Sequence, residues 1–181
     1  MSRLFFLIGF MGAGKTTVGR AAADALGYTF LDLDDLIEQR EEKTIREIFE
    51  TEGEAYFREM ESAILKSLEY LPSANYIIAT GGGTPCFKDN VQWMKAHGRV
   101  YYIQLTVEEL SQRLWKGMDK RPLLKGLELA DLQLFISNLL KKREVYYRQA
   151  HHHIPNPSLP PTALIELING PKMGDTGQRL N

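Results

Sequence analysis

Short apolar runs alternate with longer segments of helical periodicity along this chain. The apolar runs are of strand length and lie near Leu4–Ile8, Tyr28–Asp32, Tyr76–Thr80, Val100–Leu105 and, more weakly, Ala150–Ile154. Helices are predicted at Thr17–Leu26, Ile45–Phe49, Glu54–Leu71, Asn90–Ala96, Val107–Leu114, Leu129–Tyr147 and Thr162–Asn169. This alternation is typical of an α/β fold in which helices cover both faces of a mostly parallel sheet.

The most specific motif lies between the first apolar run and the first helix. The segment Gly9-Phe10-Met11-Gly12-Ala13-Gly14-Lys15-Thr16 fits the phosphate-binding pattern G-x-x-x-x-G-K-[ST] at every defined position. Its glycines let successive N–H groups point at one phosphate, and the start of the helix favours negative charge. Lys15 would approach the outer phosphates, and the Thr16 hydroxyl would hold a magnesium ion. The predicted nucleotide-binding residues are Gly12, Ala13, Gly14, Lys15, Thr16 and Thr17.

Length and composition limit the possible functions. The 181 residues predict one domain over 1–169, and the tail over 170–181 has little to bury and is expected to be disordered. A formal net charge of -1 offers no basic excess for nucleic acid and no polybasic block for a membrane. The N-terminus leads directly into a predicted strand and the phosphate loop, and removal of a cleaved signal would destroy that motif, so secretion is not expected. The single cysteine, Cys86, cannot form an internal disulfide and fits a reducing compartment. We therefore expect a cytoplasmic protein and, since nothing demands a partner subunit, a monomer.

Two carboxylates lie at the end of the second predicted strand. Asp32 and Asp34 would lie at its carboxyl end, the edge at which open α/β sheets bind ligands. Because alternate strand residues share a face, one could help to hold magnesium while the other meets a substrate hydroxyl. The alternative is that they cap a helix beginning near Leu36, which Asp35 could also do.

The triple glycine Gly81-Gly82-Gly83 follows the third predicted strand at the same edge. Three glycines allow the backbone to approach a ligand closely and offer N–H donors, although a flexible turn is the alternative. In many phosphate-loop enzymes this strand ends in an Asp that assists the metal, whereas here it ends in Thr80. That difference favours Asp32 as the metal ligand.

Two arginines in predicted helices, Arg58 and Arg143, could bind a carboxylate, because a guanidinium forks onto it in a bidentate way. Arg58 could instead pair with a neighbour on its own helix, either Glu54, Glu61 or Ser62.

The basic segment around 112–125 lies between two predicted helices. It could be a mobile lid that brings Arg121 over a transferring phosphoryl group and excludes water. The alternative is an exposed connector.

The run His151-His152-His153 invites a metal hypothesis. Consecutive strand residues point to alternate faces, so the three side chains cannot converge on one ion. We therefore expect no metal site there.

Together these motifs resemble the shikimate kinase family over about Leu4 to Ile168. The resemblance depends, in chain order, on the phosphate loop, Asp32-x-Asp34, Phe49, Phe57-Arg58, the triple glycine, Arg121-Pro122-Leu123-Leu124 and Arg143. It implies a three-layer α/β/α P-loop kinase fold with a five-stranded parallel sheet in the order 2-3-1-4-5. It also implies transfer of the γ-phosphoryl group of ATP to the 3-hydroxyl of shikimate, on the route to chorismate and the aromatic amino acids.

The resemblance implies a role for each matched residue. Asp34 would draw off the proton of the reacting hydroxyl, and Arg121 would reach the phosphoryl group. Arg58 and Arg143 would clamp the shikimate carboxylate. The other substrate contacts would come from Phe49, Phe57, Gly81, Gly82 and Gly83. Arg113 and Pro157 would sandwich the adenine.

Two other functions stay open. A related small-molecule kinase, such as a gluconate kinase, would share the loop and the lid but has no need for two arginines and an aromatic wall. A catalytically silent nucleotide-binding module would not need Lys15, Asp34 and Arg121 together. A GTP switch would need an Asn-Lys-x-Asp segment, which the sequence lacks.

Overall fold

The computed structural model describes residues 3–116, 128–155 and 161–170. Its strands are β1 (Arg3–Ile8), β2 (Thr29–Asp32), β3 (Asn75–Ala79), β4 (Gly98–Gln104) and β5 (His152–Pro155). Its α-helices are α1 (Lys15–Leu26), α2 (Leu33–Glu41), α3 (Ile45–Thr51), α4 (Gly53–Ser67), α5 (Asn90–His97), α6 (Val107–Lys116), α7 (Leu129–Tyr147) and α8 (Pro161–Asn169). Short 3-10 helices cover Leu68–Tyr70 and Thr84–Cys86.

The five strands form one sheet in the order β2-β3-β1-β4-β5, and every neighbouring pair is parallel. The predicted strand order is therefore confirmed. Because all strands run the same way, their carboxyl ends meet at one edge, where such sheets bind ligands. The loop after β1, the start of α2 after β2 and the triple glycine after β3 are thereby brought together.

Two cores lie on opposite faces of the sheet, and the central strand β1 contributes to both. Leu4, Phe6 and Ile8 belong to one core, together with residues of α4, α5, α6 and α7. Phe5 and Leu7 belong to the other, with residues of α1 and α8. This alternation follows from the two-residue period of a strand and confirms that helices cover both faces. No helix within the described ranges is both long and apolar enough to cross a bilayer.

One predicted boundary was wrong in a way that affects the site. Helix α2 begins at Leu33, not near Leu36, so Asp34 lies in its first turn and not on strand β2. Asp32 is the cap, because its Oδ1 accepts a hydrogen bond from the Asp34 N–H at 3.1 Å. The prediction that Asp32 and Asp34 share one face of a strand was therefore wrong, because only Asp32 belongs to the strand.

Other boundaries differ by a few residues. The helix predicted to run to Leu71 ends at Ser67 and continues as a 3-10 turn, and β4 begins at Gly98. Predictions for Arg121, Pro157, most of the lid and the tail beyond Gly170 lie outside the described residues. The division into a domain over 1–169 and a tail stays a prediction.

Candidate active site

The phosphate loop turns between β1 and α1 because its glycines adopt positive φ angles. Gly12 has a φ of 79° and Gly14 a φ of 94°, a region that other L-residues rarely occupy. The turn is closed by a hydrogen bond from the Ala13 N–H to the Phe10 carbonyl at 3.2 Å. Helix α1 then begins at Lys15, so its free N–H groups face the loop, as the motif predicts.

Lys15 lies within the curl of this loop. Its side chain is buried, and Nζ donates to the carbonyls of Gly9 and Phe10, each at 2.9 Å. The loop thus holds an ammonium group at its centre. An anion bound by the loop N–H groups would meet this charge directly.

Asp32 and Asp34 occupy different positions with different chemistry. Asp32 joins the loop to α2, because its Oδ2 accepts from the Thr16 hydroxyl at 2.8 Å while Oδ1 caps the helix. The functional and capping interpretations of Asp32 are therefore compatible. Asp35 is exposed and does not serve as the cap.

The Asp34 carboxyl has a pKa raised to about 6. Burial is the main cause, and the negative charges of Asp32 and Glu61 add to it, while Lys15 acts in the opposite direction. A carboxyl with this pKa is ionised near neutral pH and is still a usable proton acceptor.

The triple glycine lies against four charged side chains, those of Asp34, Arg58, Glu61 and Arg143. A β-carbon added at Gly81 would lie 2.8 Å from Glu61 Oε1 and 3.2 Å from Asp34 Oδ1. One at Gly82 would lie 3.2 Å from Arg143 Nη1. One at Gly83 would lie 2.6 Å from Arg58 Nη2. A β-carbon at any of these positions would therefore shift a charged group of the site.

Gly82 also borders the phosphate loop. The same added β-carbon would lie 3.2 Å from the Met11 backbone nitrogen. The triple glycine is therefore the common wall between the loop and the two arginines.

Arg58 faces the site and also forms ion pairs with two glutamates of its own helix, α4. Its Nη1 donates to Glu61 Oε2 at 2.7 Å, and its Nε lies 3.5 Å from Glu54 Oε1. Both pairings were among the sequence alternatives, and neither prevents the guanidinium from contacting Gly83. Glu61 is fully buried and accepts a second hydrogen bond, at 2.5 Å, from the Thr84 hydroxyl.

A cavity of about 470 Å³ lies between the two arginines. Arg143 approaches it from α7, with its guanidinium carbon 5.7 Å from the centre of the Phe10 ring. The described lining residues are Glu54, Ala55, Arg58, Gly83, Cys86, Phe87 and Arg143. Burial raises the pKa of the Cys86 thiol to about 11, so this side chain stays neutral at physiological pH.

Phe49 and Phe57 form an aromatic pair with ring centres 4.7 Å apart. Phe57 is buried and Phe49 is partly exposed. Within the described ranges, neither belongs to the cavity lining, which has Phe87 instead. Their contact with a substrate stays a prediction.

Arg113 of α6 contacts the phosphate loop. Its Nη1 donates to the Ala13 carbonyl at 3.1 Å and would lie 3.3 Å from a β-carbon at Gly14. This position beside the loop is compatible with the predicted nucleotide contact.

The histidine run has three separate environments. His151 Nδ1 accepts from the Val100 N–H at 3.0 Å, whereas His152 stacks on Tyr101 and His153 packs edge-on against Tyr102. Tyr101 and Tyr102 lie on opposite faces of β4, so the imidazoles point apart.

Sequence reasoning gave no functional role to Glu61 and missed Thr84 and Tyr147. Tyr147 donates a hydrogen bond to the Gly82 carbonyl at 2.5 Å. Glu61 could have been suspected from its position three residues after Arg58. Thr84 and Tyr147 carry no such signal, because their partners are distant in the chain.

Comparisons with known proteins show which family the chain resembles in sequence and fold. The chain matches the family model described as shikimate kinase over residues 11–168. A shikimate kinase from Azobacteroides pseudotrichonymphae is 44% identical over 148 residues, covering 82% of this chain and 86% of the relative. One from Parabacteroides distasonis is 45% identical over 145 residues, covering 80% and 83%.

Solved structures show the same similarity. A shikimate kinase from Bacteroides thetaiotaomicron has a TM-score of 0.86 at 38% identity, over 92% of this chain and 98% of that one. One from Acinetobacter baumannii, solved in complex with shikimate, has a TM-score of 0.80 at 38% identity, over 93% and 92%. Fold and sequence therefore agree, and the chain belongs to the shikimate kinase family.

Proposed function

We propose that this protein transfers the γ-phosphoryl group of ATP to the 3-hydroxyl of shikimate, giving shikimate 3-phosphate and ADP in chorismate and aromatic amino acid biosynthesis. The observation that carries the proposal is the order of charges along the triple glycine. Asp34 and Glu61 lie at Gly81, Arg143 at Gly82 and Arg58 at Gly83. Since Glu61 is paired with Arg58 and Thr84, Asp34 is the acidic group at Gly81 that can face a substrate. A rigid ring with a carboxylate at one end and a reactive hydroxyl at the other would fit this order.

On the nucleotide side, the loop supplies binding and charge. Backbone N–H groups from Gly12 to Thr17 and the start of α1 bind the phosphates, and Lys15 neutralises charge that develops during transfer. Arg113, which donates to the Ala13 carbonyl of the loop, contacts the nucleotide base, as the family resemblance implies.

On the acceptor side, two guanidinium groups bind the carboxylate. Arg58 and Arg143 both line the cavity, and two forked donors fix a planar carboxylate in one orientation. Phosphoryl transfer depends mainly on alignment and charge neutralisation, so a fixed acceptor ring supplies much of the catalysis.

Asp34 accepts the proton of the reacting hydroxyl. The proton becomes acidic only as the new bond to phosphorus forms, so a pKa of about 6 is sufficient for a base at neutral pH. Glu61 is unsuited to this task because Arg58 and Thr84 already occupy its oxygens.

The residues present fit a magnesium ion. Thr16 and Asp32 offer a hydroxyl and a carboxylate oxygen that already lie 2.8 Å apart, and oxygen donors are the ligands magnesium prefers. They would hold the ion together with the nucleotide phosphates. When bound, it would neutralise phosphate charge.

Some parts of this proposal concern residues or properties that the structure does not describe. Arg121 closing over the phosphoryl group and Pro157 at the adenine lie outside the described residues. The cytoplasmic location and the monomeric state also stay predictions.

The function is tested by measuring ADP release with ATP and magnesium in the presence of shikimate, gluconate or no acceptor. We expect release to depend on shikimate, with phosphate appearing on its 3-hydroxyl by NMR. Stimulation by gluconate alone would overturn the choice of substrate. Nucleotide binding without turnover on any acceptor would favour the silent module.

Replacing Arg58 with lysine is expected to raise the KM for shikimate by about 10- to 100-fold, because the forked pair of donors is lost. Lysine is preferred to alanine here. Alanine would leave the fully buried Glu61 without a cation, which destabilises a fold by itself. The KM for shikimate and the affinity for ATP are measured separately, and the affinity for ATP should stay nearly unchanged.

The matched control is Arg46→Lys, because Arg46 forms an exposed ion pair with Glu50 on α3. This variant should keep both constants. Equal losses for shikimate and ATP in Arg58→Lys would show that Arg58 supports the fold and not the substrate.

A further inference from the structure

Tyr147 is the last residue of α7 and lies one turn after Arg143. It is fully buried, and its ring packs on Tyr102 of β4 with centres 5.1 Å apart. Phenylalanine could fill the same space, so packing alone does not account for the hydroxyl group. Burying a hydroxyl is unfavourable unless it has a hydrogen-bond partner.

The partner is the carbonyl of Gly82, 2.5 Å from the Tyr147 oxygen. Burial raises the pKa of the Tyr147 hydroxyl well above its usual value, while the charge of Arg143 and a side-chain hydrogen bond with it act in the opposite direction. The group therefore stays protonated and remains a donor throughout the working pH range.

The three carbonyls of the triple glycine have different partners. Gly81 O accepts from the Thr84 N–H at 3.2 Å, and Gly83 O accepts from the Cys86 N–H at 2.9 Å. Both are local turn contacts. Among the hydrogen bonds of the described residues, the one from Tyr147 to Gly82 O connects the glycine turn to a helix that is distant in the chain.

Each of the two arginine-bearing helices thus contacts the turn through a side-chain hydrogen bond. Thr84 donates to Glu61 of α4, and Glu61 pairs with Arg58. In α7, the Tyr147 hydroxyl contacts Gly82, the same glycine that lies against Arg143 Nη1. The position of Arg143 relative to the turn is therefore set by two contacts from a single helix.

We propose that Tyr147 is a positioning residue for the acceptor: its hydrogen bond to Gly82 fixes α7 against the triple glycine and places Arg143 for the substrate carboxylate. It acts through Gly82 and Arg143 and touches no reacting atom. The inference rests on the proposed function, since it assumes that the cavity between Arg58 and Arg143 binds the acceptor acid.

The test is Tyr147→Phe, which removes one oxygen atom and leaves the ring. The KM for shikimate should rise about tenfold, because one neutral hydrogen bond no longer fixes the turn. The KM for ATP should stay within about twofold of the parent value, since the phosphate loop keeps its own contacts.

The matched control is Tyr102→Phe. Tyr102 of β4 is equally buried and packs on the same ring, and among the hydrogen bonds of the described residues its hydroxyl makes none to the glycine turn. This variant should keep both KM values. A fall in melting temperature shared by the two variants, with no change in KM for either, would mean that the Tyr147 hydroxyl is structural and would overturn the proposal.

A double-mutant cycle gives a second readout. If Tyr147 acts through Arg143, the effect of Tyr147→Phe on the shikimate KM should largely disappear in an Arg143→Lys background. Additive effects would show that the two residues act separately and would also overturn the inference. Failure of the parent protein to use shikimate would instead refute the proposed function, so the two failures are distinguishable.

Discussion

Replacing Lys15 with alanine is expected to lower kcat by about a thousandfold or more, because the charge on the transferring phosphoryl group loses its buried counterpart. The ammonium group lies inside the loop, 2.9 Å from the carbonyls of Gly9 and Phe10. Since the surrounding N–H groups are held by the glycine backbone, ADP should still bind, more weakly. The readouts are kcat by coupled ADP release and the dissociation constant of ADP by calorimetry.

A matched control shows whether the loss of any lysine charge lowers kcat, or only the loss of the one in the phosphate loop. Lys43 pairs with Glu52 at the surface, so Lys43→Ala should leave kcat unchanged. Circular dichroism and the melting temperature show whether the Lys15 variant is folded. A folded Lys15→Ala protein with near-normal turnover would refute the role given to this lysine.

The phosphate loop could be predicted from the sequence because all its requirements are local. The glycines that allow positive φ, the preceding apolar strand and the following helix lie within one short stretch. The alternation of strands and helices was likewise enough to predict a parallel sheet covered on both faces. Similarity to a known family added the strand order, which periodicity alone does not determine.

The arrangement of the acceptor side could not be derived from the residues in this way. Gly81, Gly82 and Gly83 face charged groups from three separate parts of the chain, and only tertiary packing fixes which glycine meets which group. The hydrogen bond from Tyr147 to Gly82 is of the same kind. Sequence reasoning could identify Arg58 and Arg143 as possible carboxylate ligands, but it could not place them around one cavity.

The start of α2 shows how one local rule overrode another. A strand ending in Asp32-Leu33-Asp34 suggested two carboxylates on one face, but Asp is also among the best helix caps. Capping prevailed, since the Asp32 carboxylate satisfies the Asp34 N–H and the helix starts immediately. Asp34 reaches the site from the first helical turn instead of from a strand.

Replacing Asp34 with asparagine is expected to lower kcat by about a hundred- to ten-thousandfold, the usual contribution of a positioned general base. The amide keeps the size of the side chain but cannot accept the proton of the reacting hydroxyl. The affinity for ATP should change little, because Lys15 and the loop N–H groups remain. The measurements are kcat and the KM of each substrate across pH 5 to 8.5.

In the parent protein, we expect kcat/KM for shikimate to decrease when the pH is lowered below about 6, because the Asp34 carboxyl becomes protonated.

The Asp34→Asn change is also expected to stabilise the fold at neutral pH. The pKa of Asp34 is raised from 3.8 to about 6, mainly by burial and then by Asp32 and Glu61, so the folded state binds this proton more tightly than the unfolded chain. The ionised carboxylate therefore costs stability, by about 1 to 3 kcal/mol at pH 7. The amide of the Asp34→Asn variant carries no such charge, so the melting temperature should rise by about 3 to 8 °C.

The pH dependence of this gain separates buried charge from a general packing effect. Stability is lost in the parent as pH rises from 3.8 to about 6, so the advantage of Asp34→Asn should be full above pH 6 and should vanish toward pH 4. Asp35→Asn is the matched control, because Asp35 is the next residue and is exposed. Burial and the charges of Asp32 and Glu38 raise the pKa of this carboxyl too, so the melting temperature should rise, but less than in Asp34→Asn, and turnover should stay unchanged. An Asp34→Asn protein that is less stable than the parent at neutral pH would contradict the electrostatic account of Asp34. An active Asp34→Asn protein would contradict its role as the base. Lower turnover together with higher stability is the combination expected of a carboxylate kept buried for proton transfer at the expense of the fold.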